Sequence, residues 1–140
     1  LQLEHMPHVM QRRAEIDAYY REQLAHVPGI TCLPHGHQTV ANHSYFPILV
    51  GPEYPLSRDA LYEKLKENGI YARRYFYPLI TDFPMYRGLI SAAPANVAIA
   101  AKFSRQVLCL PIYPKLLQNF QLEIINLIKN QSWQFYQKKS

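Results

Sequence analysis

The spacing of apolar residues divides the chain into helical and extended stretches. Residues 7–26 and 116–130 repeat apolar side chains every three or four positions, which predicts two amphipathic helices. Shorter apolar runs at 30–33, 44–50 and 107–113 predict strands. Because helices and strands follow one another without an internal repeat, we predict an α+β domain in which helices cover one face of a small sheet.

A further helix, beginning after Ser57, carries local signals at both of its ends. The Ser57 hydroxyl can accept a backbone N–H of the first turn, and Asp59 places a negative charge at the positive end of the helix dipole. Gly69 stands where a left-handed residue closes a helix, and Ile70 is spaced to pack back onto Leu65. These signals predict a helix that ends just before Gly69.

The segment after this helix alternates in the manner of a β-strand. Residues 70–77 place two sets of side chains on opposite faces, and Pro78 ends the strand because proline cannot donate to a ladder. One face of the predicted strand carries Tyr71, Arg73, Tyr75 and Tyr77, and the other carries Ala72, Arg74 and Phe76.

Two further elements follow this strand. We predict a long loop at residues 80–95, and a loop of this length is more often functional than idle. We predict a small-residue helix at residues 95–106, suited to packing on a sheet.

Composition excludes several classes of protein. Apolar residues make up 49% of the 140 residues, which excludes a disordered chain, and no run approaches the roughly 20 apolar residues of a membrane span. Two cysteines, Cys32 and Cys109, are too few for a disulfide framework, so a cytoplasmic location is expected. The net charge of +5 permits an anionic partner but does not identify one.

Three regions are expected along the chain. Residues 1–29 form an N-terminal or interdomain helix, residues 30–130 a small α+β domain, and residues 131–140 a C-terminal tail without a regular pattern. The opening LQLEHM has no initiator methionine and reads as the first turn of a helix that has been cut. We therefore expect this chain to be a piece of a longer polypeptide.

No complete active site is visible in the sequence. Phosphate-binding glycine loops, paired-cysteine zinc patterns and a nucleophile elbow are all absent. The histidine pairs His5/His8 and His35/His37 come without a third ligand at a recognisable spacing, so no metal site is predicted.

The chemically richest stretch is ARRYFYPL, residues 72–79. Arg73 and Arg74 carry forked donors suited to phosphate, and Tyr75 and Tyr77 offer flat faces and hydroxyls to a sugar or a base. An edge strand with aromatic pairs and solvated arginines explains the same residues without any ligand. A single-strand nucleic-acid binder is a further alternative. Since the lysines are dispersed and no glycine-punctuated RNA motif occurs, we expect no nucleic-acid partner.

At this point the sequence resembles a known family. The run GIYARRYFYPLITDFPMYRG, the small-residue helix after it and VLCLPIYP resemble the C-terminal part of the DegT/DnrJ/EryC1/StrS sugar aminotransferases. The opening LQLEHMPHVMQRRAEIDAYYREQL resembles the helix that links their large and small domains. The resemblance covers residues 1–130 and implies the small, mainly antiparallel α+β domain of the aspartate-aminotransferase fold.

The resemblance also implies a function. Members are pyridoxal-phosphate enzymes that transfer an amino group, here expected from glutamate, to a nucleotide-linked 4-keto-6-deoxy sugar, and they act as homodimers with active sites built from both subunits. A non-catalytic binding or dimerisation module of the same fold is the alternative. The Schiff-base lysine belongs to the family's large domain, so we expect no catalytic residue here and no activity of this chain alone. No matching context surrounds Lys64, Lys66, Lys102, Lys115, Lys129, Lys138 or Lys139.

Substrate-binding residues are carried over by position. Arg74, Tyr75 and Tyr77 match the segment that approaches the active-site mouth in the family. Ile80 departs from the family pattern, in which many members have histidine, and this implies a sugar pocket of different polarity. Tyr86 falls at a recurrent aromatic position and is included as a candidate contact. The resemblance places the cofactor mainly in the large domain.

Overall fold

The computed structural model describes residues 2–34 and 41–137. Four α-helices and three β-strands follow one another along these residues, with short 3₁₀ turns between several of them. A 3₁₀ turn, Gln2–His5, leads into the first helix. The elements are α1 (Met6–Leu24), β1 (Ile30–Cys32), β2 (Phe46–Val50), α2 (Arg58–Glu67), α3 (Ala98–Ser104), β3 (Val107–Leu110) and α4 (Gln118–Gln137).

The sheet has the order β1-β2-β3, and both pairings are antiparallel. Alternation along β2 buries Phe46, Ile48 and Val50 on one face, where the Tyr20 ring stacks on Phe46 with ring centroids 4.8 Å apart. The predicted α+β fold, with helices on one face of a small antiparallel sheet, is confirmed. The helices that supply the core on this face are α1 (Ile16, Tyr20, Leu24), α2 (Leu61, Leu65) and α4 (Ile124, Ile125, Ile128).

The signals at the two ends of α2 act as predicted. Ser57 Oγ accepts a hydrogen bond from the Ala60 N–H at 3.2 Å. At the other end the Ile70 N–H donates to the Leu65 carbonyl at 2.9 Å, and Gly69 adopts a φ of +74°. This is a Schellman closure, which satisfies helix carbonyls that would otherwise lack partners.

We expect Gly69→Val to lower the free energy of unfolding by more than ~1 kcal/mol. A Cβ at this position would meet no atom within 4 Å, so the cost comes from the left-handed backbone alone. Urea unfolding of the variant measures it. Gly69→Asn is the matched control, because asparagine tolerates this conformation better than valine. If Gly69→Val and the wild type had equal unfolding midpoints, the helix would not depend on a left-handed residue at position 69 for its closure.

The predicted strand at 70–77 is wrong. Only Arg73 pairs with the sheet, through a single bridge in which its N–H and carbonyl bond to Cys109 at 2.9 and 2.8 Å. Phe76 has a φ of +47°, and a left-handed residue turns the chain out of the extended conformation. The sequence alternates throughout, so its pattern alone does not reveal this turn.

The small-residue helix also differs from its prediction. It begins at Ala98, after a 3₁₀ turn at Pro94–Asn96, and it does not pack on the sheet: Ile99 is 75% exposed and Phe103 is 42% exposed. The core face of the sheet is already covered by α1, α2 and α4. The apolar side chains of α3 therefore remain at the surface.

The last strand and the last helix end at other residues than predicted. The strand β3 stops at Leu110 instead of residue 113, since Pro111 has no N–H to donate. The helix α4 continues to Gln137, through residues expected to form an irregular tail, because neither glycine nor proline interrupts residues 115–137. Among the residues described, none of the helices combines the length and apolarity that crossing a bilayer requires.

Candidate functional site

The candidate site is the face of the sheet turned away from the helices. We call it the open face and define it by Tyr45, Tyr71, Arg73, Tyr75, Cys109 and Tyr113. Pro47 and Cys109 are register partners in β2 and β3, so both point away from the side that buries Phe46 and Ile48. Two adjoining cavities of about 340 and 290 Å³ lie over this face, and both are lined by Ser44, Tyr45 and Cys109.

The larger cavity is built around a pair of tyrosines. The rings of Tyr45 and Tyr75 have centroids 5.1 Å apart and are tilted by 55°. Tyr75 is also 4.0 Å from the Phe76 ring, so the turn at residue 76 leaves an aromatic group on each side of Tyr75. Such tilted arrangements are favoured by the ring quadrupoles, which fixes the Tyr75 ring without burying it fully.

Arg21 contributes a cation to the wall of the larger cavity, but two of its nitrogens already donate within the protein. Its Nε donates to Asp17 Oδ1 at 2.6 Å and its Nη1 donates to the Leu33 carbonyl at 2.7 Å. The guanidinium also lies 5.4 Å from the centre of the Phe46 ring. Arg21 therefore stabilises the wall and is a poor candidate for binding a ligand.

Arg73 has the opposite character in the smaller cavity. Its backbone is held by the bridge to Cys109, while its exposed side chain lies among Tyr45, Tyr71 and Tyr113. In the part of the chain that the structure describes, no carboxylate lies within ion-pair distance of Arg73. A guanidinium placed in this way on the open face can donate hydrogen bonds to a phosphate or to a hydroxyl-rich ligand.

Cys109 lies beneath both cavities without being reactive. Burial raises the pKa of its thiol to about 11, and the nearby Arg73 lowers it only in part. The thiol is therefore neutral at pH 7, and a neutral thiol is a weak nucleophile. Cys109 serves as the small apolar floor of the open face.

Arg74 and Tyr77 belong to a second group of side chains, which we call the arginine–tyrosine cluster: Arg58, Asp59, Tyr62, Arg74 and Tyr77. The Arg74 Nη1 is 3.2 Å from Asp59 Oδ1, and the Arg74 guanidinium lies 4.5 Å from the centre of the Tyr62 ring. Arg58 and Arg74 both approach the Tyr77 ring, at 4.5 and 5.7 Å. Arg74 is thus already paired in this chain.

The structure separates the residues predicted to bind substrate. Tyr75 lies on the open face, whereas Arg74 and Tyr77 lie in the arginine–tyrosine cluster. Ile80 and Tyr86 follow on an exposed segment, with 68% and 42% of their surface accessible. The turn at Phe76 removes Tyr77 from the face that carries Tyr75. Arg74 precedes the turn and lies on the opposite face from Tyr75, as the alternation of side chains predicts.

Sequence reasoning missed Tyr45 and Tyr113 as candidates. Tyr45 immediately precedes the buried Phe46, so the period-two alternation along the strand places it on the opposite face. That signal was available in the sequence. Tyr113 follows the end of β3, and only the folded chain shows that it lies beside Arg73.

The residues present do not fit a covalently bound pyridoxal phosphate. Among the described residues, no lysine lines either cavity of the open face. Lys64 and Lys66 lie on α2 beside Glu67 and Glu63, and Lys129 on α4 donates to Gln23. Within residues 2–34 and 41–137, no group of three or more His, Cys, Asp or Glu side chains is placed to hold a metal ion. The pair His35/His37 and the lysines Lys138 and Lys139 lie outside the described residues.

Comparison with known proteins identifies the class to which this fold belongs. The structure of DesI in the presence of its TDP-sugar product superposes with a TM-score of 0.82 at 25% identity, over 99% of this chain and 36% of that one. The structure of S. venezuelae DesV in complex with a ketimine intermediate gives 0.78 at 30% identity, over 93% of this chain and 33% of that one. The fold is that of the C-terminal domain of pyridoxal-phosphate aminotransferases.

The family follows from the sequence itself. The chain belongs to the DegT/DnrJ/EryC1/StrS aminotransferase family, whose profile matches residues 1–129. It is 47% identical over 128 residues to the dTDP-4-amino-4,6-dideoxy-D-glucose transaminase of Escherichia coli, covering 91% of this chain and 34% of that protein. It is 34% identical to the dTDP-4-dehydro-2,3,6-trideoxy-D-glucose 4-aminotransferase of Saccharopolyspora spinosa, over 83% of this chain and 28% of that protein. The resemblance is confirmed, and the chain spans about a third of the length of these curated relatives.

Proposed function

We propose that this chain is the C-terminal domain of a pyridoxal-phosphate-dependent aminotransferase that acts on a nucleotide-linked 4-keto-6-deoxy sugar, with glutamate as amino donor. The single observation that carries the proposal is the open face, an aromatic surface with an available arginine on an aminotransferase fold. The similarity to an Escherichia coli transaminase of a dTDP-linked 4-amino-4,6-dideoxyglucose supports the substrate class.

The open face suits the two parts of such a substrate. Tyr75 and Tyr45 present flat rings and hydroxyls, which pack on the apolar faces of a sugar and bond to its hydroxyl groups. Arg73 presents fixed, planar donors, which match the oxygens of a diphosphate. On this proposal Arg73 takes the phosphate-binding role that the sequence equally allowed for Arg74.

The exposed segment, defined as residues 76–103, supports a larger assembly. No residue from 73 to 103 is buried, although the segment carries Phe76, Ile80, Met85, Ile90 and Ile99 with at least two thirds of each side chain accessible. An apolar surface of this extent is typical of an interface. We propose that the large domain and the second subunit of a homodimer cover it in the complete, cytoplasmic enzyme, which brings Ile80 and Tyr86 to the sugar.

The chain on its own is proposed to be inactive. Since no lysine of residues 2–34 and 41–137 lines the open face, this part of the chain offers no amine with which to hold pyridoxal phosphate or to pass a proton at the substrate carbon. Its contribution is to bind and orient the sugar. The lysine and most of the cofactor site are assigned to the remainder of the enzyme.

The proposal is tested by assaying the full-length protein for amino transfer. We expect formation of 2-oxoglutarate from glutamate with at least one nucleotide-linked 4-keto-6-deoxyhexose, and none with the same sugar reduced at C4. If no nucleotide-linked keto sugar supports 2-oxoglutarate formation, the catalytic proposal fails and the non-catalytic binding or dimerisation module takes its place. Calorimetric measurement of nucleotide-sugar binding then distinguishes a binding module from a purely structural one.

A further inference from the structure

A buried arginine connects the arginine–tyrosine cluster with the base of the exposed segment. The side chain of Arg58 is 1% exposed, although it is a permanent cation. It also stands in the first turn of α2, where the helix dipole disfavours a positive charge. Both effects make this position costly for arginine, so its contacts must compensate for them.

The contacts of Arg58 reach the two ends of the exposed segment. Its guanidinium lies 4.5 Å from the centre of the Tyr77 ring, close to where the segment begins. Its Nη1 donates to the carbonyls of Ser104 and Val107 at 3.0 and 3.3 Å, just after the segment ends. Asp59 supplies an opposite charge, with its Oδ1 3.0 Å from the Arg58 Nε, while among the described residues neither Nε nor Nη2 makes a hydrogen bond.

We propose that Arg58 is a positioning residue that ties together the two ends of the exposed segment and so sets the placement of Ile80 and Tyr86. No residue of the segment enters the core, so its course depends on how its two ends are held. Arg58 contacts one end of the segment through the face of an aromatic ring and the other end through hydrogen bonds to two carbonyls. These contacts fix the distance between the two ends. The link to the sugar rests on the proposed function, whereas the link between the two ends does not.

Arg74 is the matched control for Arg58. It contacts the same Tyr77 ring and the same Asp59 carboxylate, and it lies in the same cluster. Among the described residues it makes no hydrogen bond to Ser104 or Val107. Removing Arg74 therefore disturbs only the beginning of the segment, whereas removing Arg58 disturbs both ends.

Hydrogen exchange in the full-length protein tests the link between the ends. In Arg58→Met we expect amide exchange to accelerate by about tenfold in peptides covering residues 76–82 and also in those covering 102–107. In Arg74→Met only residues 76–82 are expected to accelerate. Unchanged exchange at 102–107 in Arg58→Met, or an equal response to Arg74→Met, overturns the proposal.

Tyr77→Leu keeps the experiment decisive if Arg58→Met does not fold. This variant removes the aromatic contact and leaves both carbonyl bonds of Arg58 in place. We expect faster exchange at residues 76–82 and unchanged exchange at residues 102–107. Faster exchange in both regions, or in neither of them, overturns the proposal.

Steady-state kinetics of the full-length protein test the placement. We expect Arg58→Met to raise the KM for the keto sugar by about tenfold while leaving the KM for glutamate unchanged. In Arg58→Lys we expect a smaller rise in the KM for the keto sugar. A purely stabilising arginine would lower the melting temperature and change neither KM, and that result overturns the positioning role. If the wild type shows no amino transfer, the proposed function fails, while the exchange experiment still decides whether Arg58 links the two ends.

Discussion

Gly29→Ala is expected to lower the free energy of unfolding by at least ~3 kcal/mol, combining a left-handed backbone with overpacking. Gly29 has a φ of +75°, and an added Cβ would lie 2.1 Å from the Tyr54 nitrogen and 2.7 Å from the Glu53 carbonyl carbon. These are backbone atoms, so no side-chain rotation relieves the clash. The Gly29 carbonyl also accepts the Gly51 N–H at 2.7 Å, which holds the turn before β1 (residues 25–29) against the turn after β2 (residues 51–56).

Urea unfolding with Gly88→Ala as control measures this effect. Gly88 has no positive φ, and a Cβ there would meet no atom within 4 Å, so we expect the control to be neutral or slightly stabilising. The two variants add the same methyl group and differ only in its surroundings. An unfolding midpoint for Gly29→Ala as high as that of Gly88→Ala would show that the turns do not pack as described.

Tyr75→Ala in the full-length enzyme is expected to lower kcat/KM for the keto sugar by roughly ten- to hundredfold, the usual effect of removing one apolar contact from a substrate pocket. The reason is that Tyr75 is the predicted substrate residue that lies on the open face, held there between Tyr45 and Phe76. Its ring is half-buried, so the loss of stability is expected to be smaller than that of a core residue.

Tyr75→Phe separates the two contributions of the side chain. The ring contacts with Tyr45 and Phe76 are retained in this variant, and only the hydroxyl is lost. We expect its stability to equal that of the wild type and its kcat/KM to lie between wild type and Tyr75→Ala. If Tyr75→Ala lowers the melting temperature and leaves the kinetics unchanged, Tyr75 is structural.

Those parts of the fold that depend on neighbouring residues were predictable from the sequence. The cap at Ser57 and the closure at Gly69 involve atoms only a few positions apart, so the order of residues determines them. Beyond the turn at Phe76, Tyr77 lies against Arg58 of α2, a contact between residues far apart in the sequence, and no local pattern encodes it.

The candidate site was predictable only where it depends on residues close together in the sequence. The stretch that contains Tyr75 was recognisable by its composition, and it does reach the open face. The sequence does not decide whether Arg73 or Arg74 is available to a ligand, because this depends on Asp59 lying beside Arg74 in the folded chain. Tyr45 precedes β2, and the pairing of β2 with β3, together with the bridge between Arg73 and Cys109, brings it near Tyr75.

We propose that this chain supplies a sugar-binding face and that a lysine elsewhere in the enzyme holds the cofactor. Borohydride reduction of the full-length protein loaded with pyridoxal phosphate, followed by peptide mass spectrometry, locates that lysine. We expect a stoichiometric phosphopyridoxyl adduct on a single lysine outside these 140 residues. A stoichiometric adduct on a single lysine within them would contradict it.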